Sequence, residues 1–392
     1  MKKTAALFVT DSFHVGGATA FMEQHYRAMI KLGYAVVIVG AKGDLNDPAS
    51  IFPQAHLLEL PVFQGYGNII GRLRWFSRTV RAIYSVYRTY NIMLFYSPLS
   101  RAYIVGMCCP ATWFVPRVYA FCGDVALELQ SAAMHPKSWY TKMQTWRHRL
   151  IQSIVIVSAS RILTFSQYAK KLLYVHYPLL NKESVTVIPG YISVRKHRHV
   201  NSKTLSLLTV CRFEPRKGVD SILRAAALLK AAGVDFRLTI AGSFESMYST
   251  DFLELYEKLN LFTDVHIIHK VSHAQLNYLL DQADICVVPS KDLETFGMMT
   301  ISALARGVPV VGTPTGATPE ILGPIEKKLI AKSIAPSDIA KSIQWFKSQS
   351  VKKRELLRNK IFTSMESRYD KKIIAKDIER FFLDTVLTPT AK

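Results

Sequence analysis

Arg212 and Lys217 stand five residues apart, just beyond an apolar, strand-like run at Leu205–Val210. Residues at the carboxyl end of a parallel strand face the crevice in which open α/β sheets bind ligands. An Arg there can grip phosphate oxygens with a bidentate fork, and a Lys adds a compact point charge, so the pair suits a diphosphate. A surface Arg and Lys flanking a turn would have the same spacing, and the pair alone does not decide. A second element sharpens the reading. Pro289-Ser290 closes another strand, and Glu294 follows in a loop that leads through Phe296, Gly297, Met298, Met299 and Thr300 into a helix carrying Ser302. The free N–H groups of a helix start bind anions. A carboxylate aimed at a phosphate site is electrostatically awkward unless it binds something else, and sugar hydroxyls are suitable donors. The competing reading of Glu294 is a carboxylate stabilised by the helix dipole.

The elements that must hold these residues are legible as alternating apolar runs and amphipathic stretches, the pattern of parallel sheets with crossover helices. Strands are expected at Ala5–Val9, Ala35–Val39, Ala55–Leu60, Ile92–Tyr96, Arg117–Phe121, Arg161–Thr164 and Val185–Ile188. Helices are expected after Gly16-Gly17 and over Gly71–Tyr90. A polar break follows at about Pro189–Lys203, and the alternation restarts with strands at Leu205–Val210, Arg237–Ala241, Val265–Ile268, Ile285–Val288 and Val308–Val311. Helices are expected there at Val219–Ala232 and His273–Gln282. The last fifty residues read as two or three Lys- and Arg-rich helices. The expected organisation is a first α/β domain over 1–190, a linker at 191–203 and a second α/β domain over 204–368. A final helix over 369–392 would return to the first domain.

A chain of 392 residues suits two or three domains, and 49% apolar with 20% charged residues is ordinary globular usage. The five cysteines show no metal-ligand spacing and read as reduced thiols of a cytosolic protein. The apolar run near the N-terminus is interrupted by Asp11 and His14, so it reads as a strand and not as a signal peptide. No stretch approaches the ~20 apolar residues that span a bilayer.

Taken together, Arg212 with Lys217-Gly218, Ala241-Gly242, Ala283-Asp284 before Pro289-Ser290, Glu294-Thr295-Phe296-Gly297 through Ala303, and Gly307-Val308-Pro309-Val310 resemble the family-4 retaining glycosyltransferases of the GT-B fold. Gly316 with Pro319-Glu320 also matches. The resemblance is most specific from Val210 to Leu322. It implies two Rossmann-like domains whose parallel sheets face each other across a cleft that holds the active site. It implies a nucleotide-sugar donor, UDP- or GDP-linked, and a glycan or lipid-linked acceptor in polysaccharide or glycolipid biosynthesis. Arg212 and Lys217 would neutralise the leaving diphosphate. Glu294 would contact the transferred sugar, and backbone N–H groups from Phe296 to Thr300 would hold sugar and phosphate. No metal and no other cofactor is implied, since cations and a helix terminus serve the diphosphate. Gly16-Gly17 looks like the loop that closes over the donor phosphates; a plain strand-to-helix turn has the same composition.

Three positions depart from the family pattern. Ser302 stands where the family usually has a second Glu that binds the nucleotide ribose. Cys122-Gly123-Asp124 stands where it often has His-Gly, so that Asp124 takes part of that role near the sugar. His269 stands where a Gly is common in the base-binding segment.

The net charge is +21, and no acidic residue occurs between Glu59 and Asp124, where seven arginines fall. A basic and aromatic stretch follows through Lys137, Trp139, Tyr140, Lys142, Trp146, Arg147 and Arg149. Such a surface attracts polyanions, either nucleic acid or an anionic membrane. Leu73, Phe76, Val80, Ile83 and Tyr87 recur at helical spacing, with Arg74, Arg78, Arg81 and Arg88 opposite. That pattern fits a helix packed on the sheet with a solvated basic face, and it fits a face that docks on lipid. No nucleic-acid-binding motif is visible. The expected partner is therefore an anionic membrane surface and not nucleic acid, with a cytoplasmic location peripheral to the inner face of the cell membrane. A non-catalytic GT-B scaffold remains the alternative to an enzyme.

Overall fold

The computed structural model describes residues 2–13, 16–43, 45, 47–61, 69–132, 138–195, 204–242 and 248–388. His14, Lys137 and the linker residues 196–203 lie outside the described residues, as does the side chain of Arg72.

Two parallel sheets organise the chain. The first contains β1 (Thr4–Ser12), β2 (Ala35–Ala41), β3 (His56–Leu60), β4 (Asn91–Ser97), β5 (Arg117–Phe121), β6 (Arg161–Thr164) and β7 (Val185–Val187). Their spatial order is β3-β2-β1-β4-β5-β6-β7. The second contains β8 (Leu205–Val210), β9 (Phe236–Gly242), β10 (Val265–His269), β11 (Ile285–Val288) and β12 (Val310–Gly312), in the order β10-β9-β8-β11-β12. Every pairing is parallel. Ala5–Val9 is buried without alternation, as is Ile285–Cys286-Val287, because helices on both faces of a parallel sheet exclude water from both. The strand order reverses between β1 and β4 in one sheet and between β8 and β11 in the other. Ligands bind beyond the carboxyl ends of the strands at such a switch point.

The chain forms two compact units. One comprises Met1–Val125, Trp146–Tyr191 and Lys372–Lys392; the other comprises Ala126–Thr145 and Ile192–Lys371. Ala126–Thr145 thus groups with the second sheet although it precedes it in sequence. In the first unit, the final helix Lys371–Leu387 sets Phe382 against the rings of His25 and Tyr96, at 5.6 and 6.2 Å. Lys31 and Glu379 tie the same helix at 2.8 Å.

The helix Ile69–Thr89 forms, with Arg74, Arg78, Arg81 and Arg88 exposed. Its buried arc differs from the expected one. Thr79, Ile83 and Val86 are buried, at i, i+4 and i+7, whereas Leu73 is 63% exposed and Phe76 37%. Thr79 can serve as a core residue because its hydroxyl is satisfied within the helix, donating to the Trp75 carbonyl at 2.9 Å. An apolar pattern assigns Thr79 to the polar face and so rotates the helix.

Candidate active site

The second sheet brings Arg212, Lys217 and Glu294 to one edge. The chain leaves β8 at Val210, passes Arg212, and makes a short 3-10 turn at Pro215–Lys217 before the helix Val219–Ala231. It leaves β11, the neighbour of β8 across the switch point, through Pro289-Ser290 and reaches Glu294. The two loops are held together by contacts that only glycine permits. Gly218 has φ +69°, and a Cβ there would stand 2.0 Å from the Pro289 carbonyl oxygen. The Lys291 amide donates to the Arg216 carbonyl at 2.7 Å, and the Lys291 ammonium pairs with Asp220 at 2.6 Å.

That closure sets Lys217 Nζ 2.7 Å from Glu294 Oε2, and the Ser290 hydroxyl donates to the same oxygen at 3.0 Å. Burial would raise the Glu294 pKa. The Lys217 charge, the hydrogen bonds from Lys217 and Ser290, and the Arg216 charge outweigh it, and the carboxyl is held below its ordinary value. Glu294 is therefore a carboxylate that accepts hydrogen bonds, not an acid that donates one.

The backbone under Glu294 is fixed as tightly. Leu293 is buried with φ +48°, a conformation a branched residue enters only when its surroundings enforce it. Its amide donates to Asp292 Oδ1 at 2.8 Å, and its carbonyl accepts from Arg216 at 3.4 Å. On the other side Gly316, at φ +59°, lies so close that a Cβ would sit 2.2 Å from the Glu294 carbonyl oxygen. The Ala317 amide donates to that oxygen at 2.7 Å. Thr313 and Thr315 both donate to the Ser290 carbonyl.

Arg216 has no part in the sequence expectation. Its side chain is buried, with Nε donating to Glu214 Oε2 at 2.9 Å and Nη2 lying 3.9 Å from Glu128 Oε2. Glu214 turns its other oxygen to Arg212 at 2.8 Å, and Arg212 itself is 64% exposed. Burial raises the Glu128 pKa against the pull of Arg216, Arg212 and Lys217. Three cations within six residues are a visible signal, but which of them turns inward is not. Three carboxylates, Glu128, Glu214 and Glu294, stand among these cations. Of the three cations Arg212 is the most exposed, ahead of Lys217 and the buried Arg216.

After Glu294, Phe296 and Gly297 are buried and Met298 and Met299 half-buried at the start of the helix Met298–Leu304. The amides of Met298, Met299 and Thr300 occupy the first turn, where no intrahelical acceptor exists. Thr300 is buried, with its hydroxyl lacking a hydrogen-bond partner among the described residues. Ser302 is half-buried on the same helix.

The remaining expected site residues belong to the first unit, each beyond the carboxyl end of a strand. Gly16 is exposed and Gly17 half-exposed between β1 and the helix Gly17–Lys31. Gly16 is extended, and a Cβ there would meet nothing within 4 Å, so local packing does not require a glycine. Asp124 is fully buried just past β5, and its Oδ2 accepts from the Tyr177 hydroxyl at 2.9 Å. Gln152 completes the network through Tyr177, Tyr119, the Gly123 carbonyl and the Val125 amide. Burial and the Asp124 charge push the Tyr177 pKa up, so its phenol stays protonated as the donor. The Cys122-Gly123-Asp124 turn is thereby rigid. Among the described residues no helix is long and apolar enough to cross a membrane.

Comparison with known proteins bears on the family and the fold. Residues 193–362 match the family described as Glycosyl transferases group 1. The chain is 31% identical over 125 residues to MMP alpha-(1->4)-mannosyltransferase of Mycolicibacterium hassiacum, a match covering 32% of this chain and 29% of that protein. The chain thus spans under a third of that relative's length. Among solved structures, sucrose-phosphate synthase of Thermosynechococcus elongatus superposes with a TM-score of 0.80 at 18% identity, covering 98% of this chain and 99% of the other. HepE of Anabaena, solved in complex with UDP and glucose, gives 0.75 at 16%, covering 98% and 100%. These two likenesses show the fold. The chain has the GT-B fold, and its residues 193–362 are similar to the group 1 glycosyl transferases.

Proposed function

We propose that this chain is an enzyme that transfers a hexose from a UDP- or GDP-sugar to a hydroxyl of a glycan or lipid-linked acceptor in polysaccharide or glycolipid biosynthesis. The observation that carries the reading is the Lys217–Glu294 contact, at 2.7 Å, beyond the carboxyl ends of β8 and β11 with Arg212 exposed beside it. The chemistry needs a cation where charge develops and an acceptor oxygen where sugar hydroxyls lie. In the transfer, the acceptor oxygen bonds to the anomeric carbon and the bond from that carbon to the diphosphate oxygen breaks. The products are the glycosylated acceptor, a nucleoside diphosphate and a proton.

Negative charge grows on the diphosphate as its bond breaks. Lys217 and Arg212 are assigned to meet it, with the amides of Phe296, Gly297, Met298, Met299 and Thr300 holding sugar and phosphate. An incoming diphosphate draws Lys217 away from Glu294, and the freed carboxylate then accepts from sugar hydroxyls. Ser302 offers the ribose a neutral hydrogen bond. Gly16 and Gly17 are assigned to the donor phosphates. Asp124, buried under Tyr177, acts by positioning its turn. The reading includes transfer with retention, no requirement for metal, and a cytoplasmic protein held at the inner face of the membrane by its basic surface.

Thermal melting across nucleotide-sugars tests the proposal. A ligand that binds only the folded chain stabilises it by about 2.7 kcal/mol at a hundredfold excess over its dissociation constant. UDP or GDP and one of their sugars should raise the midpoint, and that sugar should then be turned over on an acceptor. No shift with any nucleotide or nucleotide-sugar would remove the basis for the reading.

A further inference from the structure

We infer that the outer face of the helix Trp139–Ser158 is a membrane-docking surface that seats in the interface of an anionic phospholipid bilayer. The inference rests on the membrane association proposed above and assigns it to a different element from the arginine-faced helix Ile69–Thr89. His148, Gln152, Val155 and Ile156 bury the inner face of Trp139–Ser158, where Gln152 joins the Asp124 network. The opposite face is apolar. Trp139 is 73% exposed, Trp146 66% and Val157 58%, with Met143, Leu150 and Ile154 each near half.

At 3.6 residues per turn these six fall within an arc of about 80° opposite the buried face, and they run for about 27 Å along the helix. An unbroken exposed stripe of this length marks an interaction surface, since singly scattered apolar residues are ordinary and contiguous ones are not. Exposed Lys142 and Arg147 flank the stripe on either side. At the helix end, Arg117 donates to the Ser158 carbonyl at 3.1 Å and to the Trp113 carbonyl at 3.4 Å. That bridge sets Trp113 and Phe114, 54% and 74% exposed, beside the last turn.

Charge identifies the occupant. From Leu60 to Lys182 the chain carries fifteen Lys and Arg and two acids, Asp124 and Glu128. Asp124 is buried, and Glu128 is not on this helix. An apolar stripe rich in Trp, flanked by cations and surrounded by basic sequence, has the chemistry of a helix lying in the plane of an anionic bilayer. Indole rings favour the headgroup boundary, where one edge is dry and the other wet.

The test uses the full chain with phosphatidylcholine vesicles, with and without phosphatidylglycerol. The wild-type protein should sediment with the acidic vesicles, its tryptophan emission should shift to the blue, and brominated acyl chains should quench it. The double variant Trp146→Glu/Leu150→Glu should lower partitioning at least about tenfold, since each side chain loses its transfer into an apolar phase. Both positions are exposed, and an unchanged thermal shift with UDP would confirm that the variant is folded. Binding of the variant equal to wild type, with wild type still bound, would overturn the stripe and leave the membrane proposal standing. Failure of the wild type to bind acidic vesicles would overturn both. A wild-type dimer in solution that the double variant turns into a monomer would overturn the inference in favour of self-association.

Discussion

Gly316→Ala perturbs Glu294 without touching its side chain. Gly316 has φ +59°, and a Cβ at that position would stand 2.2 Å from the Glu294 carbonyl oxygen and 2.7 Å from its amide nitrogen. Left-handed backbone strain costs a non-glycine residue about 1–2 kcal/mol. The collision adds to this, because backbone has no rotamer by which to withdraw. To restore ordinary contact the Glu294 carbonyl must retreat by about 1 Å, which also breaks the hydrogen bond it accepts from the Ala317 amide, worth about 1 kcal/mol. A displacement of about 1 Å at a reacting group can lower the rate about a hundredfold. Gly233 supplies the control, with φ +69° and nothing within 4 Å of its Cβ position. Gly233→Ala should therefore carry the strain alone. Thermal melting and initial rates on both variants separate the two contributions. Gly316→Ala should melt below Gly233→Ala and turn over about a hundredfold more slowly, while Gly233→Ala keeps the wild-type rate. Equal melting and equal rates for the two variants would refute the claim that Gly316 fixes the Glu294 backbone.

Acidity supplies a second check. Glu294 is depressed below its ordinary value of about 4.5, so the stability from its ionised pair is present above that value and lost as pH falls through the lower folded one. Lys217→Met leaves a buried carboxylate unpaired and should destabilise by about 3 kcal/mol at pH 7. That gap in melting midpoint should narrow as pH falls below the ordinary carboxylate range, and a gap independent of pH would count against the pairing. Turnover should survive chelation by EDTA if Arg212 and Lys217 meet the diphosphate as proposed; activity abolished by EDTA and restored by magnesium or manganese would contradict this. Ser302→Ala should weaken the nucleotide by only about 1 kcal/mol, the worth of a neutral hydrogen bond. Calorimetry that finds binding abolished in the folded variant would give that hydroxyl another role.

Each of the twelve strands among the described residues is legible in advance as an apolar run, to within a few residues, and a strand buried on both faces, such as β1, carries that signature most plainly. Lys217 and Glu294 are legible as chemistry at strand ends. Their direct contact is not, since 77 residues separate them and only the β8–β11 pairing brings their loops together. Arg216 escapes because Arg212, Arg216 and Lys217 look alike in sequence, and burial alone distinguishes the second. The left-handed Leu293 leaves no compositional mark, as a glycine would. The outward stripe of Trp139–Ser158 is hidden for a different reason. The buried face carries His148 and Gln152, polar residues that a hydropathy pattern assigns to solvent, so the pattern does not reveal which side faces outward.

The central claim is that Lys217 serves the departing diphosphate and Glu294 the sugar. Calorimetry of nucleoside diphosphate binding and initial rates, on Lys217→Ala and Glu294→Ala side by side, test it most directly. Lys217→Ala should lower turnover about 10²–10³-fold and weaken the nucleoside diphosphate, since the lost cation meets charge present in both the transition state and the product. Glu294→Ala should lower turnover while nucleoside diphosphate affinity holds or rises, because that ligand lacks the sugar and Lys217 is released from its partner. Lys217→Ala with intact turnover, or folded Glu294→Ala that no longer binds nucleotide, would contradict the assignment.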